Sequence, residues 1–540
     1  MRRATTAADL GIPETFNVAA HFVDRHLREG RAGRVAIECG SESVTYAQLA
    51  EGVNRFGSAL RETLDVRVEE RVLILLPDGP AFAYAFFGAI KIGAVPVPAN
   101  TLWKAADYRY VLRDSRARVL IVGEEWLPQI AEIAGVDVPA LRHIIVAGRA
   151  EHAGAGRITF SDLLAGGSAT LDPEPTSRDA PAFWLYSSGS TGAPKACVHL
   201  HHDMVICAEL FARGVLGIGS ADRCFSVAKL FFAYGLGNGL YFPLAVGGTS
   251  VLWPGAPAPA SVYAVIERHR PTLLFSVPTG YAMMLAHPAE TRDGPHGADH
   301  DLSSLRLAVS AGEALPPALY ERFKRRFGVD IIDGIGSTEV LHMFISNRPG
   351  LIRPGSSGLI VPGYEARILD EDKVAVAAGE IGNLWVTGDS ICACYWNQHE
   401  KTKATLEGGW IRTGDKYTQD EDGFYWYAGR ADDMLKVGGL WVSPIEVENV
   451  LAGHPAVQEC GVVGREDHDT LVKPMAFVVL RPGHDASPPL AVELQQFVRS
   501  QLAEYKRPRW VAFVAELPKT ATGKIQRYRL RELAGTSEPR

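Results

Sequence analysis

Helical and strand-like patterns alternate through roughly the first 340 residues, and this rhythm constrains the fold more than any other feature of the chain. Ala81 to Lys91 has the texture of a helix, Val119 to Val122 is a short apolar run, and Ile144-Ile145-Val146 is another. Farther on, Leu273-Leu274-Phe275 and Leu305 to Val309 read as strands. Pro316 to Phe327 reads as a helix with proline at its start, Leu319, Phe323 and Phe327 on one face, and Gly328 as its stop. Strands that alternate with helices assemble into α/β sheets. From Leu384 the texture changes to short β-rich segments, with Asp422-Gly423 as a turn before Phe424-Tyr425-Trp426-Tyr427, which predicts a β-rich subdomain over about 350–431. Beyond Arg430, Ser443-Pro444-Ile445-Glu446 has the form of a capping box opening a helix toward Leu451. Strands around Val457 to Val463 and Ala476 to Leu480, then a helix from about Leu490 to Leu502, complete a compact α+β unit. The boundary is placed at Asp432, giving a large domain over 1–431 and a small one over 432–540.

Composition narrows the function classes. Of 540 residues, 47% are apolar and 22% charged, which excludes disordered and fibrous chains, and the net charge of −7 offers no footprint for nucleic acid. The seven cysteines are odd in number, scattered and without a metal-type CxxC pair, so a reducing, cytoplasmic setting is expected. No apolar stretch of secretory length follows Met1-Arg2-Arg3. Leu230 to Ile266 carries no charge, yet six glycines and four prolines interrupt it; it reads as buried strands, turns and loops, not as a membrane span. The polar interlude His287 to Asp301 lacks a recognised ligand spacing and reads as a solvated loop.

The strongest local signal is Tyr186-Ser187-Ser188-Gly189-Ser190-Thr191-Gly192-Ala193-Pro194-Lys195, preceded by Phe183-Trp184-Leu185. Small residues let backbone N–H groups approach phosphate oxygens, hydroxyls add donors, and Lys195 adds a positive charge. A flexible linker rarely combines these features. A P-loop NTPase needs glycine before the lysine and Ser or Thr after it, whereas Pro194 and Ala196 stand there.

These residues resemble the adenylate-forming superfamily of acyl-CoA synthetases, adenylation domains and firefly-type luciferases. Further motifs follow in that family's order: Ser310-Ala311-Gly312-Glu313-Ala314-Leu315-Pro316, Asp333-Gly334-Ile335-Gly336-Ser337-Thr338-Glu339, Arg412-Thr413-Gly414-Asp415, Gly429-Arg430-Ala431-Asp432-Asp433 and Pro518-Lys519-Thr520-Ala521-Thr522-Gly523-Lys524. Within the superfamily, Lys229-Leu230-Phe231-Phe232-Ala233-Tyr234-Gly235-Leu236-Gly237-Asn238 and Cys394-Tyr395-Trp396-Asn397-Gln398 resemble the benzoate-CoA ligase group.

The resemblance implies ATP, Mg²⁺ and coenzyme A as cofactors and two half-reactions. It gives Lys524 the task of neutralising charge where a carboxylate meets the α-phosphate, with Mg²⁺ near Glu339 and Thr338 on the phosphate. It assigns Asp415 and Arg430 to the ribose, Gly312, Glu313 and Ala314 to one side of the adenine, and Asp333 to Ser337 to the other. Ile335 departs from the Tyr or Phe usual at its position. Asp432 is the implied hinge, and Lys436-Val437-Gly438-Gly439-Leu440-Trp441 the implied approach of the thiol, although Gly438-Gly439 is equally compatible with a simple β-turn.

For the acyl pocket, Phe231-Phe232-Ala233-Tyr234-Gly235 offers no acid where amino-acid-activating relatives place an aspartate for the substrate ammonium. A flat aromatic lining suits an aryl acid, and His342 resembles a pocket residue of the benzoate group. The expected activity is an ATP-dependent aryl-CoA ligase acting on benzoate or a small substituted benzoate. A stand-alone adenylation enzyme loading a carrier protein, a medium-chain acyl-CoA synthetase, a luciferase-like oxygenase and a non-catalytic nucleotide sensor are the competing readings. No nucleic-acid or membrane partner is expected, and the oligomeric state, monomer or homodimer, is left open.

Overall fold

A computed structural model describes residues 4–133, 138–148, 158–189, 192–288, 300–431, 433–437, 440–468, 471–519 and 525–536. Among these, two sheets organise the larger lobe. The first is wholly parallel: Arg71–Leu75 is flanked by Val95–Pro98 on one side and by Val119–Gly123, His143–Ala147 and Ile158–Thr159 on the other. The second is a nine-stranded sheet whose centre runs parallel through Arg223–Ser226, Leu273–Ser276, Leu307–Ser310 and Ile331–Gly336. These strands are almost continuously buried, as a sheet covered by helices on both faces requires. Their carboxyl ends run toward Val227, Val277, Ala311 and Ser337, so the motifs that follow each strand gather at one sheet edge, where ligands of open α/β sheets collect.

Local chemistry explains the helices. Pro80–Lys91 starts on proline and buries Phe82, Phe86 and Phe87. Pro317–Phe327 ends at Gly328, whose φ of 71° is a left-handed stop. Its buried face is Leu319, Tyr320 and Phe323. The helix Pro444–Ala452 is capped by Ser443, which accepts from the Glu446 N–H at 3.2 Å. The Glu446 carboxylate is taken up by Lys506 at 2.6 Å and 2.7 Å, so the cap is anchored by a charge pair from a distant segment.

One expectation is overturned. Between Leu230 and Ile266 the chain is mainly helical: Ala233–Leu236, Gly237–Tyr241 and Phe242–Val246 form successive helical turns, the middle one wide, with only Thr249–Leu252 as a strand and Pro259–His269 as a further helix. Glycines at 237 and 239 cost helix propensity, but burial against the core outweighs it. A wide turn of this kind commonly marks a functional site. The strand expected from Leu305 starts at Leu307.

The β-rich region is observed as an antiparallel sheet of Glu365–Leu369, Gly382–Thr387, Leu406–Glu407, Trp410–Gln419 and Tyr425–Arg430. Beyond it, Val457–Glu466, Val472–Leu480 and Trp510–Phe513 form a separate sheet with its own apolar clusters, one around Val447, Leu451 and Val462, the other around Phe477 and Leu530. Of the polar interlude, 289–299 lies outside the described residues; His300 stacks on Tyr263 at 3.6 Å and Asp301 pairs with Arg270. No group of three His, Cys, Asp or Glu suited to a metal ion occurs among the described residues, and no helix among them is long and apolar enough to cross a membrane.

Candidate active site

Pro181–Gly189 and Gly192–Leu200 pair as an antiparallel hairpin whose register brings Ser187 opposite Lys195 and Gly189 opposite Gly192. Tyr186 donates to Asp114 at 2.6 Å, fixing the first strand to the helix Ala105–Ser115. Ser187 Oγ is buried and makes no hydrogen bond. Ser190 and Thr191 lie outside the described residues, as do the side chain of Ser188 and the surroundings of Gly189 and Gly192.

The segment 337–342, joining Ile331–Gly336 to Met343–Ser346, is the hub of the site. Lys195 Nζ lies 2.9 Å from Glu339 Oε1, donates to Tyr395 Oη at 2.8 Å, and sits 4.1 Å from the centre of the Tyr395 ring. Tyr395 in turn donates to Glu339 Oε1 at 2.8 Å. Burial opposes ionisation of Glu339, but the Lys195 charge and hydrogen bond, with the one from Tyr395, outweigh it and hold the carboxyl below the ordinary range. Thr338 contributes its carbonyl to His199 Nε2 at 2.8 Å, while His199 Nδ1 is 2.8 Å from Asp203 Oδ2; both side chains are fully buried. Leu341, also fully buried, takes a φ of 69°. Left-handed backbone at a non-glycine residue is held only where surrounding structure over-determines it.

His342 closes the segment. Its ring centre lies 4.4 Å from Phe242, 5.3 Å from Phe211 and 5.6 Å from Tyr234. Burial depresses its pKa to about 3 against a smaller pull from a backbone hydrogen bond of Tyr234, so it is neutral. Gly237 faces this ring closely: a Cβ there would come within 2.6 Å of His342 Cδ2. Tyr234 donates to the carbonyls of Ser276 and Val309 at 3.2 Å and 3.1 Å, tying the aromatic segment to two central strands. Phe232 is half-buried at the helix start and Ala233 is buried. Gly235 lies against the carbonyl of Lys229.

Two of the nucleotide-type segments fall at the same edge, and the others lie on separate sheets. Gly312, Glu313 and Ala314 follow Leu307–Ser310, and Thr279 donates to Glu313 Oε2 at 3.3 Å. Asp333, Gly334, Ile335 and Gly336 end the next strand; burial raises the Asp333 pKa well above its usual value, against lesser pulls from Ser310 and the Leu315 and Gly334 backbone. Ile335 packs on the main core, and Ser337 Oγ accepts from the Val340 N–H at 3.3 Å. Asp415 and Arg430 stand opposite each other across adjacent strands. Lys436 is exposed on Leu435–Val437, which pairs with Leu440–Val442 so that Lys436 faces Trp441. Asp432, Gly438, Gly439, the Trp441 side chain and Lys524 lie outside the described residues.

Sequence reasoning missed Tyr395, His199 and Asp203. His199 lies on the strand Gly192–Leu200 and Asp203 opens the helix Asp203–Cys207, so no helical spacing pairs them and nothing local says they are buried. Tyr395 stood inside a motif without a role.

Fold and site together define a nucleotide-binding enzyme with a large and a small lobe. Residues 23–396 match the AMP-binding enzyme family and residues 446–524 the AMP-binding enzyme C-terminal domain, and the chain belongs to this family. It is 51% identical to a benzoate–CoA ligase of Thauera aromatica over 529 residues, 98% of either chain. It is 45% identical to a 4-hydroxybenzoate–CoA/benzoate–CoA ligase of Rhodopseudomonas palustris over 520 residues, 96% of this chain and 94% of the relative. Among solved structures, an anthranilate CoA ligase in complex with anthranoyl-AMP superimposes with a TM-score of 0.91 at 46% identity, covering 98% of this chain and 99% of that one. A benzoate CoA ligase from Burkholderia xenovorans does so with a TM-score of 0.86 at 46% identity, covering 96% and 100%.

Proposed function

We propose that the chain is an ATP-dependent aryl-CoA ligase that activates benzoate or a small substituted benzoate as the acyl-AMP, releases pyrophosphate, and passes the acyl group to coenzyme A. The observation that carries this reading is the neutral His342 packed among Phe211, Tyr234 and Phe242, a cluster of flat rings with no carboxylate for a substrate ammonium among these contacts. The names and full-length similarity of the relatives support it.

A carboxylate is a poor electrophile, and exchange of its oxygen for an AMP leaving group makes the acyl carbon attackable. In this reading Ser187, Ser188, Gly189, Ser190, Thr191, Gly192 and Lys195 cradle the triphosphate. Gly312 to Ala314 and Asp333 to Ser337 flank the adenine, and Asp415 and Arg430 hold the ribose. Glu339, ionised and buried, fits a divalent cation: Mg²⁺ is typically held by one or two carboxylates, substrate phosphates and waters, so a lone protein carboxylate suffices. Mg²⁺ bound at Glu339 beside Thr338 would neutralise phosphate charge. Phe232, Ala233, Tyr234, Gly235 and His342 receive the aryl group and orient its carboxylate toward the α-phosphate.

Lys524 supplies the remaining positive charge in the first half-reaction. Rotation of the 432–540 domain about Asp432 then withdraws it and brings Lys436, Gly438, Gly439 and Trp441 to the thiol. The test is acid-dependent exchange of pyrophosphate into ATP without coenzyme A, over benzoate, hydroxy-, amino- and halobenzoates, phenylacetate and medium-chain fatty acids. Preference for a benzoate supports the reading, and preference for a fatty acid overturns it. Turnover with free coenzyme A at a rate no carrier protein exceeds separates a ligase from a carrier-loading enzyme.

A further inference from the structure

We propose that Tyr395 is a positioning residue for the nucleotide: its hydroxyl holds the Glu339 carboxylate in place while Lys195 is transferred from Glu339 to the incoming polyphosphate. The inference rests on the adenylating reaction proposed above. Without ligand, Lys195 and Glu339 neutralise one another at 2.9 Å, each side chain only 14% exposed. A polyphosphate needs that ammonium, yet withdrawing it leaves a largely buried carboxylate without a cation until the Mg²⁺ that accompanies the nucleotide reaches it, a state that is strongly unfavourable if nothing else holds the carboxylate. Tyr395 is placed between the two. Its oxygen accepts from Lys195 at 2.8 Å and its proton goes to Glu339 Oε1 at 2.8 Å, so departure of Lys195 leaves the carboxylate with its second hydrogen bond intact. The ring face, 4.1 Å from the Lys195 ammonium, gives the cation a second attraction along its way out.

The mounting of Tyr395 is rigid. Cys394–Tyr395 pairs with the strand that carries Lys195, placing Tyr395 opposite Cys197. The Tyr395 N–H donates to Thr402 Oγ1 at 3.1 Å. The neighbouring Trp396 packs on Trp184 at 4.5 Å and donates to the Asp114 carbonyl at 2.9 Å. Glu339 is anchored from the same segment, its carbonyl accepting from the Cys392 N–H at 2.7 Å.

The test is Tyr395→Phe, which keeps the ring and removes only the hydroxyl. Three quantities are measured on the full chain: binding of the Mn²⁺ complex of α,β-methylene-ATP by electron paramagnetic resonance, the KM values for Mg·ATP and benzoate in pyrophosphate exchange, and the Tm. The expected result is nucleotide-complex binding and KM for Mg·ATP weakened about tenfold, with benzoate KM and Tm unchanged. Unchanged nucleotide binding overturns the proposal. Equal weakening toward both substrates together with a lowered Tm also overturns it, because it marks a purely structural role. The binding measurement needs no turnover, so failure of the wild-type chain to exchange pyrophosphate would refute the adenylating reaction while leaving the Tyr395 result readable.

Discussion

Asp415 and Arg430 face each other on adjacent antiparallel strands, Arg430 Nη1 lying 2.9 Å from Asp415 Oδ1, with the aspartate side chain 11% exposed and the arginine half in solvent. Arg430 also donates to the Thr413 carbonyl at 3.3 Å, so the guanidinium fixes the carboxylate and the turn that presents it. In the proposed reading this partly covered carboxylate accepts from the two vicinal ribose hydroxyls. Asp415→Asn is expected to raise KM for ATP about 10–100-fold, as loss of charge-assisted hydrogen bonds of about 1.5–3 kcal/mol requires. KM for the aromatic acid should not move. Steady-state kinetics with each substrate varied in turn checks this.

Gly237 is small for a stated reason, since a methyl group there would press into the His342 ring at 2.6 Å. Gly237→Ala is expected to narrow the acyl pocket and weaken benzoate by about 1–3 kcal/mol, roughly 5- to 150-fold in KM, with Mg·ATP binding retained. Parallel kinetics on benzoate and on ATP separate these effects. Loss of both affinities together would mean that the helical turn itself had collapsed.

Much of this arrangement could be read from the chain before folding. The alternating strands and helices, the helix stopped by Gly328 and the small-residue loop before Lys195 follow from period, punctuation and small-residue spacing, which are local signals. The helical turns from Ala233 to Val246 were hidden because glycine and proline argue for loops, and only burial against Leu230, Ser226 and His342 reverses that preference. Tyr395 meets Glu339 across 56 positions and His199 meets Thr338 across 139, separations at which no periodicity operates. Their partnership exists only once two sheets have set the segment 337–342 beside the hairpin.

Acid should destabilise the fold through histidines buried in the neutral form. Burial holds His21, His201 and His342 down to about 3 and His26 to about 4, so as pH falls below 6.5 the unfolded chain takes up protons that the native chain refuses. Stability therefore declines with falling pH. Asp78 acts in the opposite sense: burial raises it to about 6, so between pH 6 and the unfolded value near 4 the native state holds the extra proton. His143 is lowered as well, and Asp114, Asp333 and Asp389 are raised by burial in the same sense as Asp78, so the carboxyls offset part of the histidine effect and a net loss of stability between pH 7 and pH 5 is expected. Urea unfolding at the two pH values measures it, and His201→Gln should make the decline shallower.

The account stands on Lys524 as the group that completes adenylation and then gives way to the thiol. The most direct measurement follows Lys524→Ala through both half-reactions separately: benzoyl-AMP formation from benzoate and ATP, and benzoyl-CoA formation from supplied benzoyl-AMP and coenzyme A. The account predicts that the first falls about 10²–10³-fold, the usual consequence of removing one group that stabilises developing charge, while the second is largely spared. Equal loss in both steps, or full adenylation without the lysine, would contradict it.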